Sequence, residues 1–302
     1  MYISFISNRG DNLTPPYTKE RNLGGCGGFS HNQKGILNSL PFIAKYCNRI
    51  AVFPSPYLTF GANHNHGILC KTRKWQDYYD ISKIFNVDFS EPFLFNEDGT
   101  IDTSKKVEYV PADMDLGILK AKTADIIVLV NFNKPNSNLK HYSFLPRIAN
   151  YNIDFQPSQL ILNIVSKFQL PELYTFLHIR RGDVLREQKW NPPVDNFTNK
   201  EYICKVLNNY DVKNDTIIIS TNEQDEEYIN HIKHNTNKTV FFETDFYKYI
   251  PDEIMKDNYM VYQIMHAVAL KCSFNIGTFN YCRLGTRNDI TLEKIFLATT
   301  FI

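Results

Sequence analysis

Five short apolar runs stand out along the chain: YISFI (Tyr2–Ile6), IIVLV (Ile126–Val130), TFLHI (Thr175–Ile179), TIIIS (Thr216–Ser220) and SFNIG (Ser273–Gly277). Each is too short for a stable helix and rich in β-branched or aromatic residues, the mark of a strand buried on both faces. Ile50–Phe53, closed by Pro54, and TVFF (Thr239–Phe242) add two more. Between them the spacing of apolar residues changes to that of helices, over about Gly35–Cys47, Ser158–Phe168, Lys200–Leu207, Glu223–Ile232 and Tyr259–Leu270. Strands alternating with helices predict βαβ units and parallel sheets. At 302 residues the chain is long enough for two domains. The expected fold is α/β with two Rossmann-like domains, residues 1–165 and 166–302. Leu58–Asp113 carries few strong signals and reads as irregular, and SFNIG reads as the last strand of the series.

In open parallel sheets, ligands bind outside the carboxyl ends of the strands. Three polar clusters fall at such ends: His178–Asp183, Ser220–Glu223 and Gly277–Asn280. The first holds two adjacent arginines, Arg180 and Arg181. A guanidinium keeps its charge, so at a partly buried strand end it needs a carboxylate or a phosphate partner. One reading is an ion pair that holds the loop, with Asp183 or another acid; the other is a phosphate clamp. LGGCGGFSHNQ (Leu23–Gln33) lies between a strand and a helix, as a phosphate loop does, but lacks both P-loop and dinucleotide spacing. Its glycines allow close backbone approach, or simply a tight connection. Asp113 and Asp115 form a lone DxD before a helix and read as solvated or capping carboxylates.

Composition narrows the function. Net charge is +1, with 33 basic and 32 acidic residues, which argues against a nucleic-acid binder. Six cysteines without CxxC spacing argue against a zinc site and read as free thiols. No window of about 18 apolar residues predicts a membrane span, and the N-terminus lacks the features of a signal peptide. A cytoplasmic location is the expectation, with no metal and no cofactor.

With these residues assembled, the chain resembles the GDP-fucose-dependent fucosyltransferase superfamily, and its protein O-fucosyltransferase branch most of all. HIRRGD (His178–Asp183) looks like the superfamily's His-x-Arg-Arg-x-Asp signature. GGFSHNQ with AKYCNRIAVFP (Ala44–Pro54), WQDYYDI (Trp75–Ile81), IIISTNE (Ile217–Glu223) and FNIGTFN (Phe274–Asn280) resemble further elements in the same order. The resemblance implies a GT-B fold whose two domains face a central cleft. It implies GDP-fucose as the donor, bound mainly by the C-terminal half, and inverting, metal-independent transfer to a protein Ser/Thr or glycan hydroxyl. An α1,2- or α1,6-fucosyltransferase, or a non-catalytic GDP-sugar-binding protein, is the alternative.

By the same resemblance Arg180 stabilises the departing phosphate, and His178, Arg181 and Asp183 order the nucleotide pocket. Gly27, Gly28 and Asn32 would reach the donor from the N-terminal loop. Thr221, Thr278, Phe279, Asn280 and Arg287 complete the binding set, and Glu187 is the candidate base. The last motif is shorter here than in the family, and no acid appears in the helix before it.

Overall fold

The computed structural model describes residues 1–6, 14–15, 40–54, 56, 73–80, 87–88, 95–96, 98–130, 156–186, 192–210, 212–279 and 289–300. Two units emerge: Met1–Leu160 with Lys256–Tyr259, and Ile161–Met255 with Met260–Ile302.

The first unit is a five-stranded parallel sheet of β1 (Tyr2–Ile6), β2 (Ile50–Val52), β3 (Val87–Asp88), β4 (Val107–Pro111) and β5 (Ile126–Val130), in the order β3-β2-β1-β5-β4. β5 is buried along its whole length, which its unbroken aliphatic run requires. Its helices include α1 (Leu40–Tyr46), α2 (Trp75–Tyr78) and α3 (Leu116–Ala121). Asp115 caps α3, its carboxylate accepting from the backbone of Gly117 at 2.8 Å and Ile118 at 3.1 Å. β4 lies within the segment expected to be irregular. It is an edge strand ending in Pro111 and only half-buried, so its apolar signal is weak.

Two stretches that carried the family resemblance serve the frame of this unit. After α1 the chain turns at Asn48, which adopts a left-handed conformation (φ 53°) that asparagine tolerates better than most residues. The turn directs the buried Arg49 guanidinium onto the carbonyls of Lys122 (2.6 Å), Ala124 (2.8 Å) and Tyr2 (3.3 Å). In the WQDYYDI segment, Trp75 Nε1 donates to the Pro54 carbonyl at 2.7 Å. The Tyr78 hydroxyl donates at 2.6 Å to the fully buried Asp257, which Arg73 also approaches at 3.6 Å.

The second unit holds α4 (Gln159–Val165), β6 (Thr175–Ile179), α5 (Val194–Thr198), α6 (Lys200–Asn209), β7 (Thr216–Thr221), α7 (Glu226–His234), β8 (Thr239–Phe242), α8 (Asp252–Met255), α9 (Asn258–Lys271), β9 (Phe274–Gly277), β10 (Ile290–Thr291) and α10 (Leu292–Thr300). Two of these assignments cross the bounds of the units just given: Gln159–Leu160 of α4 and Asn258–Tyr259 of α9 count with the first. All its strand pairings are parallel, in the order β10-β9-β6-β7-β8. Counted from β6 within the unit this is 5-4-1-2-3, the doubly wound order of nucleotide-binding sheets. β10 and α10 extend the series beyond SFNIG; a two-residue strand leaves too little pattern to be read in advance. α7 begins later than expected because Asp225, not Glu223, caps it. Two units with parallel sheets give the chain the α/β composition of a GT-B fold.

Candidate functional site

In a doubly wound sheet the crossovers reverse direction beside the first strand, and a crevice opens there at the carboxyl edge. In the second unit that point lies between β6 and β9. The backbone ladder between them ends at the pair Leu177–Ile276. His178 lies near the end of β6, with Arg180 and Arg181 just beyond it, and Thr278 and Phe279 follow β9.

One hydroxyl spans the two strand ends. Thr278 Oγ1 accepts from the Arg180 backbone N–H at 2.7 Å and donates to the His178 carbonyl at 2.7 Å, with Thr278 only 2% exposed. Next along the chain, the Arg181 N–H donates to Asn222 Oδ1 at 2.8 Å, in the turn after β7. The backbone of both arginines is therefore held by side chains from neighbouring strand ends.

The two guanidinium groups have separate environments. Arg181 is enclosed by this chain's own acids: Nε donates to Glu223 at 3.0 Å, and Nη1 to Asp195 at 2.9 Å and Thr198 at 3.1 Å. Its guanidinium lies 4.9 Å from the centre of the Tyr228 ring. Burial alone would lower its pKa, but the bond to Glu223, with help from Tyr228 and Asp195, reverses this and the net shift is upward. Of the two readings open for the arginine pair, the ion pair describes Arg181, with Glu223 and Asp195 as partners. Arg180 is the half-buried cation at the tip of β6.

Gly182 makes this arrangement possible. It sits at φ +47°, and a Cβ there would lie 2.2 Å from Asn222 Nδ2, on the side chain that holds Arg181. Left-handed strain costs about 1–2 kcal/mol and overpacking about 1–3 kcal/mol. Gly182→Ala is expected to lower unfolding free energy by more than about 2 kcal/mol, read from urea titration. An unchanged midpoint would show that the turn readjusts freely.

The remaining expected residues divide. Thr221 is buried at the end of β7, its hydroxyl accepting from the Glu223 N–H at 3.0 Å. Phe279 is 2% exposed within the hydrophobic core, edge-on to Phe197 at 5.8 Å. Asp183 is the second residue of the short helical turn Gly182–Arg186. Gly27, Gly28, Asn32, Glu187, Asn280 and Arg287 lie outside the described residues. Among the described residues no helix is long and apolar enough to cross a membrane, and no three His, Cys, Asp or Glu side chains gather as metal ligands. Cys47, Cys204 and Cys272 are free thiols.

One carboxyl at this edge escaped the sequence reading. Glu243 follows β8, and its carboxyl accepts from the hydroxyls of Ser220 (2.6 Å) and Tyr247 (3.1 Å). Burial is the larger influence and raises its pKa to about 7 from 4.5, despite both hydrogen bonds. The folded value exceeds the unfolded one, so the associated stability is full below about pH 4.5 and is lost as pH rises through 7. The loss is on the order of 3 kcal/mol. Glu243→Gln is expected to flatten the pH dependence of the urea midpoint between about pH 5 and pH 8. A wild-type midpoint that is already flat would count against a raised pKa.

No protein-family model matches the chain. No curated protein matches it either. Among solved structures the chain is similar to a mutant of Arabidopsis thaliana FUT1 in complex with GDP. Identity is 11% and the TM-score 0.39, with 94% of this chain and 66% of that chain covered, just under two thirds of the neighbour's length.

Proposed function

We propose that the chain is a GDP-fucose-dependent glycosyltransferase that moves fucose, with inversion, to a hydroxyl of a protein or glycan. The observation that carries this reading is the place of Arg180, just past β6 at the carboxyl edge, beside the point where the strand order reverses. A fork-shaped cation there suits a diphosphate.

In the proposed reaction the acceptor oxygen attacks the anomeric carbon of fucose from the face opposite the leaving group. The bond from that carbon to the β-phosphate oxygen breaks, and the acceptor proton passes to a base, with Glu187 as the candidate. GDP departs with the bonding electrons, and Arg180 neutralises the charge that develops on its β-phosphate. Asn32, Gly27, Gly28, Asn280 and Arg287 are assigned to donor contacts. The reaction as proposed takes no metal and no cofactor beyond the donor.

The test is thermal stabilisation and GDP release with GDP-fucose, GDP-mannose and UDP-sugars, with and without EDTA. Stabilisation by GDP-fucose and EDTA-insensitive release of GDP are expected. Stabilisation without release, even with glycan and peptide acceptors present, would replace the enzyme with a GDP-sugar-binding protein. No response to any guanine nucleotide would overturn the reading.

A further inference from the structure

We propose that Thr278 is a positioning residue, whose hydroxyl fixes the Arg180 peptide and thereby aims its guanidinium, and that this hydroxyl makes no contact with the donor. This rests on the donor reading above. In a parallel ladder, a residue donates to the carbonyl before its partner and accepts from the N–H after it. The Thr278 hydroxyl does both around Ile179, taking the His178 carbonyl and the Arg180 N–H. It acts as one further rung after the β6–β9 ladder has ended at Leu177 and Ile276.

Proton count separates positioning from contact. A hydroxyl has a single hydrogen to give, and here it goes to the His178 carbonyl. An ionised phosphate offers only acceptors, so the Thr278 hydroxyl cannot bind one without releasing that carbonyl. The backbone of Thr278 is itself held, its carbonyl accepting from the Glu293 N–H at 3.3 Å. The hydroxyl is thus anchored from behind, and serine can reproduce it where valine cannot.

The experiment is a double-mutant cycle. GDP affinity is measured calorimetrically for Thr278→Val and Thr278→Ser, each alone and combined with Arg180→Ala, alongside hydrogen exchange at the Arg180 amide. Thr278→Val is expected to weaken GDP binding about tenfold alone and less than twofold in the Arg180→Ala background. Thr278→Ser should stay within about threefold of wild type. Exchange at the Arg180 amide should accelerate in the valine variant and not in the serine variant.

An equal loss in both backgrounds would place the hydroxyl on the ligand and overturn the proposal. So would undiminished GDP binding alongside an unprotected Arg180 amide, since the rung would then be structural only. Failure of the wild type to bind GDP would overturn the donor reading, and this role with it. An Arg180 amide as protected in valine as in wild type would overturn the rung itself.

Discussion

If the proposed reaction holds, Arg180→Ala is expected to lower GDP release from GDP-fucose by about 100-fold or more, with a smaller stability loss than the same change at Arg181. Removing one preoriented group that meets developing charge typically costs a factor of about 10²–10³ in turnover. Here the group is a full cation, and its backbone is already fixed by the Thr278 hydroxyl, so little of its binding energy goes into ordering the loop. Arg180→Lys is expected to recover only part of the rate, because an ammonium keeps the charge and loses the two-pronged fit to phosphate. The measurement is steady-state GDP release with circular-dichroism melting of the same samples. A rate in the alanine variant within threefold of wild type would remove Arg180 from the chemistry.

The adjacent arginine gives the opposite result. Arg181→Ala is expected to lower unfolding free energy by about 2–4 kcal/mol, seen as an earlier urea midpoint. Stripping one partner from a buried ion pair costs about 3–5 kcal/mol. The lower figure follows from Asp195, whose side chain is 62% exposed and can return to water, while Glu223, 22% exposed, is left without its cation. Arg181→Lys recovers little, since a point charge cannot serve Glu223, Asp195 and Thr198 together. Loss of turnover without loss of stability at Arg181 would mean that its guanidinium reaches the ligand after all.

The two arginines also show where reading the sequence stops. β5, β6 and β7 were legible because each is a dense apolar run buried on both faces, so hydrophobicity alone marks them. β4 and β10 were not, one a half-buried edge strand and the other two residues long. That the strand-end clusters gather around β6 followed from the parallel order. That Arg181 is paired with acids did not, because Asp195 and Glu223 reach it only through tertiary packing. Asp115 was legible as a cap because capping is local. Glu243 offered only its place after a strand. Gln263, fully buried with neither amide atom hydrogen-bonded among the described residues, sits in an apolar helical run that gives no sign of it.

The strand order of the first unit bears on how the chain is made. β1, at residues Tyr2–Ile6, takes as its long partner β5, at Ile126–Val130. The nascent chain must therefore carry an unpaired YISFI edge until well over a hundred further residues have been synthesised. At roughly 5–20 residues per second, that wait is on the order of ten seconds. Throughout it the segment is open to pairing with other chains. Slower induction, lower temperature or a chaperone that shields the N-terminal strand is expected to raise soluble yield more than any substitution at the site.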